Sequence, residues 1–98
     1  MKTRQEILHL LNANREKIKS FGVKEIGVFG SVARGEETEK SDVDVLVELS
    51  KETFNAYMSL LFFLEDLFGT KVDLVMKDAI KPIIKDRILA ETIYVKGL

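Results

Sequence analysis

The run DVDVLVEL at residues 42–49 alternates with a period of two. An extended strand turns successive side chains to opposite faces, so Val43, Val45 and Val47 line one side while Asp42 and Asp44 share the other. A strand divided in this way has to bury its apolar face, which commits the chain to a sheet covered by other elements. Residues 23–29 form a second strand, rich in β-formers (Val23, Ile26, Val28, Phe29) and stopping at Gly30-Ser31. Residues 71–76 form a third, and 93–95 a short edge strand.

The remaining residues read as the cover. Thr3 and Glu6 have capping-box spacing, and Ile7, Leu8, Leu10, Leu11 and Ile18 follow at helical intervals, predicting a helix over 4–20 that ends near Phe21-Gly22. Residues 31–37 make a short helix and 38–41 a polar loop. Ser50 can cap a long helix over 51–68 that Gly69 terminates, and a last helix falls at 81–91 with Pro82 in its first turn. Helices alternate with three or four strands, an α/β arrangement without repeats or linkers.

At 98 residues the expectation is one domain, too small to hold a second, substrate-binding one. Hydrophobic residues at 46% against 32% charged give the balance of a soluble globular protein. With 15 Lys and Arg against 16 Asp and Glu there is no basic excess to attract a phosphate backbone, so nucleic acid is not the expected partner. The absence of cysteine excludes disulfides, thiolate zinc sites and cysteine nucleophiles. The longest apolar run, 58–64, is far shorter than the ~20 residues that span a bilayer. The charged start, residues 1–6, lacks the apolar stretch of a signal peptide, so the expected address is cytoplasmic.

Two carboxylates on one strand face repel unless a cation lies between them, and carboxylates with open coordination positions are a usual seat for magnesium. Asp73, flanked by Val72 and Leu74 that point the other way, joins Asp42 and Asp44 if its strand lies beside theirs. Three converging carboxylates can hold two divalent ions about 3.5–4 Å apart, the arrangement for in-line displacement at phosphorus. Gly30 and Ser31, between a strand and a helix, offer close backbone approach, free N–H groups and a hydroxyl to an anion. Arg34, one turn on, can bring a guanidinium to the same phosphates. Taken singly, a DxD pair is more often a turn or cap, and Gly-Ser before a helix more often a plain turn. Their joint occurrence carries the signal.

Gly30-Ser31, ten residues and then Asp42-x-Asp44, with Asp73 on a later strand, resembles the polymerase-beta-like nucleotidyltransferase superfamily. The stretch from Phe29 to Glu36 and Ser41 to Asp44, with Lys81-Pro82, Ile88, Glu91 and Tyr94 in the tail, is similar to its minimal nucleotidyltransferase (MNT) group. The resemblance implies the nucleotidyltransferase fold, a small mixed sheet flanked by helices. It implies magnesium on Asp42, Asp44 and Asp73 and a nucleoside triphosphate, ATP above all, at Gly30-Ser31. It further implies an antitoxin beside a helical HEPN toxin, with AMP passing from ATP to a hydroxyl of that partner. Two other readings stay open: a non-catalytic antitoxin that covers its partner, and a small-molecule nucleotidyltransferase completed by a second subunit.

The helix over 51–68 is apolar around more than half its circumference, wider than the ~100° stripe of a surface helix. Burial under sheet and helices accounts for most of that arc; the sharper reading has an edge at Phe63 and Leu67 meeting another copy or the toxin. His9, Lys40, Lys77, Lys81, Lys85, Arg87, Glu36 and Glu39 read as solvated or loop charges, and Tyr94 as packing at the sheet edge.

Overall fold

A computed structural model of the chain describes residues 2–38 and 41–98; Glu39 and Lys40, two of the loop charges, lie outside the described residues. Four strands, β1 (Val23–Phe29), β2 (Val43–Leu49), β3 (Val72–Met76) and β4 (Ile93–Tyr94), form one sheet in the order β3-β2-β1-β4. β1 is antiparallel to both β2 and β4, whereas β2 and β3 run parallel, so the sheet is mixed. The helices are α1 (Arg4–Ala13), α2 (Arg15–Ser20), α3 (Gly30–Arg34), α4 (Phe54–Phe68) and α5 (Pro82–Glu91), with a 3-10 turn at Lys77–Ala79.

Strand periodicity sorts the side chains as expected. Val43, Val45 and Val47 are fully buried together with Ile26 and Val28 of β1, against Ile7 and Leu11 of α1, Ile18 of α2 and Leu60, Leu64 and Phe68 of α4. Each such side chain contributes about 1.5–3 kcal/mol by leaving water. The opposite face is covered by α5 and by Ile80 after the 3-10 turn, through a smaller cluster of Phe29, Leu46, Ile80 and Ile88 with Tyr94 packed against it. At the end of the sheet on this face Asp44 is half-buried and Asp73 exposed.

Three expected helices change their bounds, and the shortest, expected over 31–37, runs Gly30–Arg34 because Gly35 closes it in the left-handed conformation. The helix over 4–20 begins with the predicted capping box, Thr3 Oγ1 accepting from Glu6 N–H and Glu6 Oε1 from Thr3 N–H, but breaks at Asn14. There the Asn14 side-chain amide donates to the Leu10 carbonyl at 2.8 Å, a local competitor to helix continuation. The long helix starts at Phe54 instead of 51, because Thr53 supplies the cap to Ala56 N–H. Ser50 is engaged elsewhere: its N–H and its hydroxyl both donate to Gly22 O, joining the end of β2 to the start of β1. Phe63 is not an outward edge of α4 either. It packs on Phe21 with ring centroids 5.4 Å apart, and with Leu67 it lies against the core, while Phe54 and Phe62 are the exposed aromatics of that helix, at 72% and 60%.

Among the described residues no helix is long and apolar enough to cross a membrane.

Gly27 sits where β1 is flanked on both sides, by Leu46 of β2 and Tyr94 of β4. A Cβ there would stand 2.6 Å from Thr92 Cγ2 and 2.9 Å from the Ile93 carbonyl oxygen. Gly27→Ala is therefore expected to destabilise the fold by about 1–3 kcal/mol, the scale of overpacking. The measurement is a urea titration, with a lower midpoint and an unchanged slope; a midpoint equal to that of the native protein would mean that β4 gives way freely.

Candidate active site

β1 ends in extended backbone at Phe29, and the chain then turns through Gly30, whose φ of 72° lies in the left-handed region open to glycine. The antiparallel register sets Phe29 opposite Asp44, so this turn passes directly over the Asp44 carboxylate. A Cβ at Gly30 would overlap Asp44 Oδ2. Two independent constraints thus demand glycine here, one from the turn and one from the acid beneath it.

Ser31 follows, half-buried, in the first turn of α3. That helix has five residues, so its dipole is short, and an anion placed there would be held by N–H groups left unbonded in the first turn. Its far end is fixed twice: Gly35 closes it in the left-handed conformation, and Arg4 Nη1 of α1 donates to Ala33 O at 2.9 Å.

The parallel register of β2 and β3 places Asp44 beside Asp73, on strands about 4.8 Å apart. The predicted condition, that the third acid's strand lie next to the first pair's, is met. Burial pushes the half-buried Asp44 carboxyl up from 3.8 to about 6, and the charges of Asp73 and then Asp42 push the same way against Arg34, with a hydrogen bond to Asp73 adding to the rise. Asp73 itself is exposed, between buried Val72 and Leu74.

Asp42 precedes the first paired residue of β2, Val43, so the sheet register does not hold its side chain, and it is exposed. Among the described residues no group of three His, Asp or Glu side chains is gathered closely enough to hold a metal ion as it stands. Asp44 and Asp73 are paired by the register and by a hydrogen bond, and Asp42 acts on Asp44 through its charge. The donors are hard carboxylate oxygens on a face where one of them already draws a proton, which fits a hard divalent cation such as magnesium.

Arg34 is not a free guanidinium. Its Nε donates to Glu36 Oε1 and its Nη1 to Glu91 Oε2, both at 2.7 Å, and these two acids raise its pKa. Through Glu91 it ties α3 to the end of α5. What sequence reasoning missed is that Glu36, read as a loop charge, and Glu91, noted only in the tail, both pair with Arg34; Glu91 lies 57 positions from it, a separation with no local pattern. Tyr57 of α4 also reaches this region, its hydroxyl pKa raised first by burial and then by Asp73. Of the remaining charges, Lys77 bridges to Glu25 at 3.1 Å, and His9, Lys81 and Arg87 are exposed.

Residues 9–95 match the family described as nucleotidyltransferase domain. Protein adenylyltransferase MntA of Thermococcus cleftensis is 44% identical over 97 residues, which span 97% of this chain and 98% of that protein. A solved structure described provisionally as a minimal nucleotidyltransferase is 38% identical and superposes with a TM-score of 0.72, covering 88% of this chain and 93% of that one. A chain in the structure of a tri-AMPylated Shewanella oneidensis HEPN toxin in complex with an MNT antitoxin is 18% identical with a TM-score of 0.65, covering 93% of this chain and 73% of that one, a likeness of fold alone.

The Asp44 shift gives a pH dependence with a definite sign. Because the folded carboxyl titrates near 6 and the unfolded one near 3.8, the native state binds more protons across that window, and stability falls as pH rises through it. Chemical unfolding in a chelating buffer should show this fall between about pH 4 and 6 and a plateau above. Asp44→Asn should flatten the curve and hold or raise stability above pH 6. A variant with the native protein's pH profile would mean that Asp44 is not the titrating group.

Proposed function

The chain belongs to the nucleotidyltransferase domain family, and from that membership we propose that it transfers AMP from ATP to a hydroxyl on a partner protein, releasing pyrophosphate. The observation that carries this reading is the register pair Asp44 and Asp73 lying beneath the Gly30 turn. Acids and phosphate-binding backbone thereby meet at one end of the sheet. The fold relative in which a HEPN toxin is AMPylated supports a helical HEPN-type acceptor and an antitoxin role for this chain. A single domain acting in the cytoplasm, with acceptor recognition supplied by the partner, completes the proposal.

In this mechanism Asp42, Asp44 and Asp73 are the residues that would hold magnesium, as two ions, Asp44 being the more shielded of the register pair. Bound there, magnesium would supply Lewis-acid stabilisation of the triphosphate and of the attacking oxygen. Gly30 lets the backbone approach the triphosphate, and the Ser31 hydroxyl and nearby N–H groups donate to its oxygens. The acceptor oxygen forms a bond to the α-phosphorus as the bond to pyrophosphate breaks. The hydroxyl proton passes to a carboxylate on this face, Asp73 being the more exposed of the pair. Arg34 adds positive potential beside the leaving group only as far as Glu36 and Glu91 release it.

The test is incubation with ATP labelled in the base and at the α-phosphate, a divalent cation and a HEPN-type protein from the same organism, followed by mass analysis of each protein. Transfer should add one or more AMP groups to the partner, and Asp44→Asn should lower the rate at least ~100-fold while the fold persists. Transfer by that variant near the native rate would overturn the mechanism. A variant that no longer modifies the partner yet still neutralises it would show that covering alone suffices.

A further inference from the structure

β3 is an end strand of five residues, hydrogen-bonded within the sheet to β2 alone. A strand with one partner frays more readily than a central one, yet this strand carries Asp73, whose place beside Asp44 makes the site. Two side chains of α4 reach its outer edge. Tyr57 Oη donates to Leu74 O at 2.6 Å, and Glu65 Oε2 accepts from Val72 N–H at 3.2 Å. These contacts bracket Asp73 by one residue on each side, and both are partly buried, where a hydrogen bond is stronger than in water. α4 and β3 run in opposite directions, so residues 57 and 65, two helical turns apart, meet residues 74 and 72 in that order.

We infer that Tyr57 and Glu65 are positioning residues for Asp73, fastening the free edge of β3 on either side of it so that its carboxylate is held at a fixed place beside Asp44. Apolar packing alone does not do this. Leu60, Leu64 and Phe68 hold α4 against the sheet, but such contacts are not directional and tolerate sliding along the strand, whereas one donor and one acceptor spaced about Asp73 do not. The inference rests on the metal-binding role proposed above for Asp73.

Its test uses manganese as the probe, followed by electron paramagnetic resonance on the full chain without nucleotide, together with amide hydrogen exchange at residues 72–74 and the transfer assay. Tyr57→Phe and Glu65→Leu should each weaken manganese binding by about 10-fold, the lower end for outer partners of metal ligands, and speed exchange at 72–74. Glu65→Gln, which keeps an oxygen for Val72 N–H, should restore binding to near the native level. Ile18→Val, a core change in α2, controls for a general loss of stability and should leave manganese binding unchanged.

A folded Tyr57→Phe that binds manganese as the native chain does, with native exchange at 72–74, would overturn the inference, as would an equal loss in Ile18→Val. Should Glu65→Leu fail to fold, Tyr57→Phe, which removes a single oxygen, decides. Asp73→Asn separates the two readings. If it leaves manganese binding unchanged, the proposed metal role falls and this inference with it; if it abolishes binding while Tyr57→Phe does not, the inference alone falls.

Discussion

The parallel pairing of β3 with β2 is the contact on which the rest of the molecule depends. Neighbouring parallel strands cannot be joined by a hairpin; they need a crossover of a dozen or more residues, and the 15 residues of α4 provide it. The same pairing decides chemistry and core together. With Asp73 opposite Asp44, Val72 and Leu74 face the buried side next to Val43 and Val45. A slip of one residue would turn both aliphatic side chains outward and drive the carboxylate into the core. The energy that selects this register is therefore mostly hydrophobic, and the acids are placed by it against their own repulsion.

That repulsion is tolerable because of how far each acid is exposed. Asp73 remains in water and Asp44 is half-buried. A fully enclosed pair would cost several kcal/mol in desolvation, while a fully exposed pair would lose much of its field to screening by salt. The ion pair of Arg34 with Glu91 links α3, which follows the Gly30 turn, to α5.

Strands announced themselves in the sequence because their period of two is local: β1 lies where expected, and β2 and β3 differ by one residue at their starts. The site acids were equally visible, but their convergence was conditional on strand order, which no local pattern states. What escaped was decided by single hydrogen bonds or by distant partners. One amide, on Asn14, divides the first helix; Gly22 claims Ser50 and leaves the cap to Thr53; and Arg34 finds Glu91 across most of the chain. On α4 the breadth of the apolar arc was plain, yet which aromatics lay outward depended on Phe21, contributed by a different element.

Both margins of the sheet are blunted, though differently. β4 is two residues long, too short to template another strand, and along β3 the Val72 N–H and the Leu74 carbonyl are already engaged by α4. A polypeptide approaching either margin finds little backbone with which to continue the ladder. Strand addition, a common route by which one protein captures an extended piece of another, is thus disfavoured here. What these two margins present to another protein is therefore side chains and helical surface more than open backbone.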